Sequence, residues 1–202
     1  MDHNLVEMVA TAMQQNGLIQ VEVSARHVHL CQADLETLFG KGVQLTKKRD
    51  LSQPGQYLAE EKVTLVGSKG EKKVSVLGPV RKETQVELSM SDCMTMGIKA
   101  PVRLSGDLKD SGSAVLKGPC GEVSLQEGVI VAQAHVHMTP EAGEALGLCD
   151  HQKVKLELMT SRPTVLDAAV RISAESRCRV HIDTDEANAS GCSGFVVAKI
   201  RK

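Results

Sequence analysis

The sequence predicts a mostly-β protein of the barrel or sandwich type. Three observations carry that expectation. From residue 18 onward, short apolar runs alternate with a period of two, as in "LIQVEVS", "KVTLVG" and "TQVELS". Gly, Pro and Asp turn signals punctuate these runs at intervals of about 8–12 residues, the spacing of small all-β domains. Helical patterning is confined to a few short stretches. Aromatic residues are nearly absent (Phe39, Tyr57, Phe195, no Trp), so Val, Leu, Ile, Ala and Met must build the core.

Taken in order, residues 4–15, "NLVEMVATAMQQ", place Leu5, Met8, Val9, Ala12 and Met13 on one side of a helix. Asn4 or Asp2 is available to cap it, and Asn16-Gly17 ends it. The pattern serves equally a helix packed on the body and a short amphipathic docking peptide. Strands are expected in "LIQVEVS", "KVTLVG", "KKVSVLG", "TQVELS", "PVRLSG", "AVLKG", "GEVSLQ", "GVIVAQAHVH", "KVKLELM", "AAVRIS", "CRVHID" and "GFVVAKI". Short helices are expected at 32–39, 91–96, 140–146 and 185–190. The third of these opens on Thr139-Pro140-Glu141, a hydroxyl N-cap followed by proline at the first helical position.

At 202 residues, 42% hydrophobic and 24% charged with a net charge of −1, the chain has the balance of a soluble globular protein. A nucleic-acid binder would carry a basic stripe with interleaved aromatics, and none is present. No apolar run reaches the length of a membrane span, and the start lacks a secretory signal pattern, so the chain is expected in the cytoplasm. The six cysteines form no C-x-x-C pair and are expected to be free, mostly buried thiols. Cys31, two residues after His29, is the one considered as a nucleophile. The chain contains no P-loop, no G-x-G-x-x-G, no G-x-S-x-G and no H-E-x-x-H, which leaves those chemistries without support.

Four of the seven histidines fall in two look-alike stretches at an offset of 108 residues, "VEVSARHVHLCQADLETLFG" and "VIVAQAHVHMTPEAGEALGL". Each reads as a strand, an H-x-H pair and a short helix, which points to two related units. Residues i and i+2 of a strand share a face, so His27/His29 and His135/His137 each present two imidazoles side by side. Paired neutral nitrogens suit zinc or a similar divalent ion. Among the remaining histidines, His3 and His151 read as solvated, and His181 in "CRVHIDTDEAN" is the best third imidazole. Asp183 and Asp185 lie on the same strand face and are candidate ligands or orienting groups, with Asp185 read instead as a turn and helix cap. The run does not fit an EF-hand loop, because position 194 is Gly rather than Glu. In "LGPVRKETQVELS", Gln85 and Glu87 share a face with Arg81 at the turn. Glutamate supplies an oxygen ligand and arginine a planar fork for phosphate, but spacing alone favours an exposed strand with ordinary surface charges.

Together, "SARHVHL", "QPGQYLAEEKVTLVG", "LGPVRKETQVELS", "GIKAPVRLSGDL", "EGVIVAQAHVHM" and "HIDTDEANA" make the chain resemble the PduL-type phosphate acyltransferases of bacterial microcompartments, from about Val21 to Ser190. The resemblance implies conversion of a short-chain acyl-CoA (propanoyl-CoA or acetyl-CoA) and phosphate into an acyl phosphate and coenzyme A. It implies two small β-barrels with exchanged segments and a dinuclear metal site between them. Barrel one would comprise residues 18–25 plus 133–202 and barrel two residues 26–132, with residues 1–17 an N-terminal amphipathic helix that directs encapsulation. Two Zn2+ per chain are implied, one on His27, His29 and Glu87 and one on His135, His137 and His181. Arg81 matches the phosphate-contacting catalytic arginine, and Arg26, Arg81 and Arg103 are the cations expected to meet substrate or coenzyme phosphates. Shell or core proteins of the compartment are implied as partners of residues 1–15, the compartment lumen as the location, and a homo-oligomer (dimer or higher) as the assembled state.

Two positions depart from the family pattern. Ala134 stands where an arginine is usual before the second pair, and Ala25-Arg26 where Asn-Arg is common before the first. Neither touches an implied metal ligand; a lost cation would weaken phosphate or coenzyme binding. The implied reaction is direct attack of zinc-bound phosphate on the thioester within a ternary complex, without an acyl-enzyme. Two other readings share the same ligands: a dinuclear zinc hydrolase that activates water, and a non-catalytic module that zinc merely staples.

Overall fold

The computed structural model describes residues 3–201. Their elements run α1 (His3–Gln15), β1 (Leu18–Ser24), β2 (His27–His29), α2 (Gln32–Phe39), β3 (Lys47–Asp50), β4 (Tyr57–Val66), β5 (Glu71–Gly78), β6 (Gln85–Leu88) and α3 (Met90–Met96). They continue β7 (Val102–Arg103), β8 (Gly112–Lys117), β9 (Glu122–Ala132), β10 (His135–Met138), α4 (Pro140–Leu146), β11 (Lys153–Leu158), β12 (Thr164–Ile172), β13 (Arg179–Asp183), α5 (Thr184–Ser190) and β14 (Val196–Arg201). The mostly-β expectation holds. The chain divides into two compact units, Met1–Ser24 with Gln133–Lys202, and Ala25–Ala132.

The first unit is a closed barrel of six strands in the order β1-β13-β10-β12-β11-β14, completed by the antiparallel β1–β14 pair. Its interior is aliphatic: Ile19, Val21, Val136, Leu156, Val170 and Val180 are all buried there. Each is worth about 1.5–3 kcal/mol on leaving water, before the entropy of ordering the chain is counted. The second unit closes in the same way through β4-β5-β2-β6-β9-β8, with β8 returning to β4. Its core includes Val28, Val63, Val74, Val76, Val86 and Val129. β3 and β7 are attached to this ring at β4 and β9.

The two rings have one pairing scheme. Each H-x-H strand lies parallel to one neighbour (β2 to β5, β10 to β12) and antiparallel to another (β2 to β6, β10 to β13). The strand beyond is parallel again, β9 beside β6 and β1 beside β13. β9 therefore does for the second barrel what β1 does for the first, yet each precedes the H-x-H strand of the other unit in the chain. Only Ala25-Arg26 and Gln133-Ala134 separate these strands, so the segments are exchanged at those two short links.

Several expectations are corrected. "GEVSLQ" and the start of "GVIVAQAHVH" are one strand, β9, with Gly128 at φ 121° inside it. An added Cβ there would meet the Thr84 carbonyl oxygen at 2.7 Å, so only glycine suits the position. The same apolar run then breaks after Ala132, and His135 begins a strand of the other unit. Alternation cannot register that change, because it continues through the link. β3, "KKRD", is an unpredicted and wholly exposed strand with only β4 as neighbour, and the expected strand at 101–106 shrinks to Val102–Arg103. Two cysteines of the six are buried rather than most, and none forms a disulfide.

The helices stop and start on side-chain chemistry. Ser89 caps α3 by accepting from the Asp92 N–H, and Thr139 caps α4 by accepting from the Ala142 N–H. α5 opens on a capping box: Asp183 accepts from the Glu186 N–H while Glu186 accepts from the Asp183 N–H. Asp183 is thus the cap, and Asp185 lies in the first turn of α5 instead of on the strand face of His181. α1 ends at Gly17, φ 70°, and touches β1 and α4. The Leu5, Met8 and Val9 side chains on it are exposed. The proposed cap Asp2 lies outside the described residues, as do the side chains of His3 and Asn4. No helix of the described residues is long and apolar enough to cross a membrane.

Candidate metal centres

Because Val28 and Val136 fill the barrel interiors, the histidines flanking them point to the opposite, outer faces of their strands. Strand pairing then adds a third group to each pair. Antiparallel β6 sets Glu87 directly beside His27, and antiparallel β13 sets His181 directly beside His135. Two groups result, His27–His29–Glu87 and His135–His137–His181. In each, the three candidate ligand atoms lie within 4.8 Å of one another. Among the described residues, Asp183, Asp185, His151 and Cys31 join neither group. His151 is exposed, and Cys31 occupies the N-cap position of α2, where its N–H donates to Thr84 Oγ1 at 3.0 Å.

The ring nitrogens are pre-oriented. His27 Nδ1–H donates to the Ala25 carbonyl and His135 Nδ1–H to that of Gln133, each at 2.9 Å. This leaves both Nε2 lone pairs for another partner, the arrangement found when backbone carbonyls support metal-binding imidazoles. His27 Nε2 lies 3.5 Å from Glu87 Oε2, and His135 Nε2 lies 3.1 Å from His137 Nε2. His29 Nδ1 is buried with no hydrogen-bond partner. Convergent imidazole and carboxylate atoms with an orphaned buried nitrogen fit a borderline divalent cation, which accepts several such lone pairs at once.

Electrostatics of the first group point the same way. Burial raises the Glu87 carboxyl, but the adjoining His27 and His29 and the Arg81 guanidinium outweigh it and hold Glu87 well below the usual carboxylate range. Burial lowers His27, yet the Glu87 charge and hydrogen bond and the Ala25 carbonyl raise it on balance. Burial, reinforced by His27 and Arg81, lowers His29 strongly. Without a metal, His27 therefore favours its protonated form beside an ionised Glu87, while burial favours neutral His29.

β6, expected as an exposed strand, is buried at all four positions. Gln85 sits beside Glu87 and donates Nε2–H to Glu87 Oε1 at 2.5 Å and to Ser105 Oγ at 2.8 Å. Its own oxygen accepts from the Gly106 N–H at 2.7 Å. Arg81 Nη1 donates to the same Ser105 Oγ at 2.9 Å, so one hydroxyl and one amide tie the arginine to the glutamate. The 105–106 turn carries no signal of this role in the sequence. Arg103 contacts Asp107 at 3.4 Å, and its buried Nε has no partner.

Arg26, expected to meet a substrate phosphate, is held by buried Asp92 through Nε at 3.0 and 2.9 Å and Nη2 at 2.9 Å. Lys72 adds a bond to the same carboxylate at 2.8 Å. Asp92 is three residues after a serine cap, a spacing that hints at a helix start but not at the two cations. The matching position in the first barrel is Glu186, and the stations of Arg26 and Lys72 are taken by Ala134 and Leu166. Burial, opposed by the Asp183 backbone N–H but reinforced by the charges of Asp183 and Asp185, raises Glu186 from 4.5 to about 7.

The folded state binds the Glu186 proton more tightly than the unfolded chain, so the penalty for ionising it grows from about pH 4.5 to about 7 and is complete above. Glu186→Gln keeps the capping geometry and removes the penalty. The variant is expected to melt higher than wild type at pH 8 and to match it at pH 4.5. A melting difference that does not change with pH in paired thermal scans would contradict this.

The sequence profile of the phosphate propanoyltransferase family matches residues 20–193. A phosphate propanoyltransferase of Clostridioides difficile (strain 630) is 48% identical over 202 residues, covering 99% of this chain and 97% of that protein. Its counterpart in Priestia megaterium is 48% identical over 92% of this chain and 86% of its own length. The one in Thermotoga maritima is 45% identical over 93% and 90%. Both histidine groups fall inside the matched span. With near-full coverage on both sides, the chain belongs to the phosphate propanoyltransferase family and is an acyltransferase.

Proposed function

We propose that the chain interconverts a short-chain acyl-CoA (propanoyl-CoA or acetyl-CoA) and phosphate with the acyl phosphate and coenzyme A. In this reading His27, His29 and Glu87 hold one zinc-type divalent ion, and His135, His137 and His181 hold a second. The observation that supports it most is the pair of matched ligand groups, each with its atoms within 4.8 Å, on equivalent stations of two barrels. When bound, such ions supply Lewis-acid charge and an open position for an anionic oxygen or a thiolate.

The protein's own groups account for the rest. Carbonyls of Ala25 and Gln133 keep the imidazole lone pairs directed. Gln85 steadies Glu87, and Ser105 steadies the Arg81 fork. Arg81 suits a phosphate through two parallel N–H bonds and offsets charge on the reacting oxygens. A phosphate oxygen forms the new bond to the acyl carbon as the carbon–sulfur bond breaks, and the electron pair leaves with the coenzyme thiolate. No side-chain nucleophile is required, because holding both substrates in contact supplies much of the rate.

The test is release of coenzyme thiol from acetyl-, propanoyl- and longer acyl-CoA with and without phosphate. Dependence on phosphate with formation of acyl phosphate supports the transferase; equal release without phosphate indicates the hydrolase. A protein that forms no acyl phosphate with metal present, and unfolds on chelation, is a stapled module. Isotope exchange between acyl-CoA and coenzyme A without phosphate would reveal an acyl-enzyme and overturn direct attack.

The exposed Leu5, Met8 and Val9 of α1 support a second part of the proposal: residues 1–15 direct the enzyme to the lumen of a microcompartment by docking on shell or core proteins. Deleting them is expected to abolish co-assembly with shell proteins and leave turnover in solution unchanged. If solution turnover is lost as well, the helix serves the body of the protein instead.

A further inference from the structure

We propose that Glu22 is a fourth protein group of the His135–His137–His181 centre, holding His181 at its Nε2 edge and held in turn by Arg179. The proposal rests on reading that centre as a metal site. Glu22 is adjacent to His181 by strand register, since β1 runs parallel to β13 with Glu22 beside His181. Its neighbours Val21 and Ile182 belong to the barrel core, so Glu22 and His181 share the outer face. Glu22 Oε2 lies 3.4 Å from His181 Nε2, within charge contact. The alignment is too poor for a hydrogen bond, and buried Nε2 is left without one. The other carboxylate oxygen, Oε1, accepts from Arg179 Nε at 2.9 Å.

Comparison of the two barrels gives this contact its meaning. The station of Glu22 in the second barrel is Ile130, which is buried hydrocarbon. There, the carboxylate sits one strand over, as Glu87. The first barrel has an imidazole at that place, His181, and the carboxylate on the next strand. Each centre therefore keeps one carboxylate among its imidazoles. The residue two places before the third ligand supports that carboxylate in both: Gln85 donates to Glu87, and Arg179 donates to Glu22. Three neutral imidazoles alone would leave both charges of a divalent ion uncompensated in a half-buried setting. One carboxylate halves that charge and orients the histidine it touches.

Glu22→Gln and Glu22→Leu, the second copying the Ile130 station, test the assignment. Metal content and competition with a chromophoric chelator are measured for zinc, and the visible spectrum is recorded for the cobalt(II)-loaded protein. The expected result is two ions per wild-type chain and, in both variants, a roughly 10–100-fold loss of affinity at one site only. The cobalt spectrum of that site should shift in both variants, and Glu22→Asp should restore part of the affinity. Two ions held with wild-type affinities and spectra in both variants would overturn the role of Glu22 alone. A wild-type chain that takes up no second ion, with His135→Ala without effect, would overturn it together with the metal reading beneath it.

Discussion

Glu87→Ala is expected to lower phosphate-dependent thiol release by at least about 10²-fold while leaving the barrel folded. The carboxylate is buried, lies 3.5 Å from His27 Nε2 and is the only negative charge in the His27–His29–Glu87 group. Its removal leaves two imidazoles, and loss of even an orienting group around a metal ligand costs 10–100-fold. The fold should survive because Glu87 points outward, while its neighbours Val86 and Leu88 are the residues of β6 in the core. Glu87→Gln separates charge from shape: it keeps the volume and a hydrogen-bonding oxygen, so a loss nearly as large as that of alanine would assign the effect to charge. Metal content, thiol release and thermal melting measured on the same preparations decide the matter. Near-normal turnover in Glu87→Ala would remove this group from the reaction.

One residue away from the ligands, the expected effect reverses. Val28→Asp should unfold the second unit, because Val28 is 0% exposed and packs among Val76, Val86 and Val129 at the middle of the ring. An ionised carboxylate placed there has no partner, and burial of an unpaired charge costs more than a marginally stable domain can offset. Val28→Ala removes less and is expected to lower stability by about 1–3 kcal/mol through lost burial and a small cavity. Met94→Asp, at a side chain 71% exposed on α3, serves as the control and should change stability by less than about 0.5 kcal/mol. Denaturant unfolding of the three variants tests the ranking. Val28→Asp with wild-type stability would mean that β2 does not line the core. One three-residue strand thus carries both roles, candidate ligands on its outer face and core on its inner face, because a pleated strand has two faces.

Much of this was open to inspection in the residues themselves. Alternation in "LIQVEVS" and "KVKLELM" assigns inward and outward positions, since Cβ direction flips at every residue. Thr139-Pro140 starts a helix for reasons internal to four residues. His181 stands out from the residues alone as the best third imidazole, whereas the place of Glu87 beside His27 and His29 comes only through family resemblance, since spacing favours a surface charge there. Burial of β6 explains the difference, because exposure depends on what covers a strand and not on its own pattern.

Glu22, Asp92, Lys72 and Ser105 escaped a reading of the sequence for a related reason. Glu22 meets His181 across 159 positions, and its neighbours in the chain form an ordinary half-buried strand. Nothing local to Arg26 signals its partner Asp92, which lies 66 positions away in the chain. Local sequence therefore determined the element types, the two-faced strands and the pairing of imidazoles within each H-x-H. Beyond the barrel bounds and the place of Glu87 that the family resemblance implied, only the tertiary structure decided which strands are neighbours, how they register, and that Glu22 stands beside His181. Side-chain alternation is a property of each residue's own backbone, whereas register between strands is a property of contacts that close only when distant segments meet.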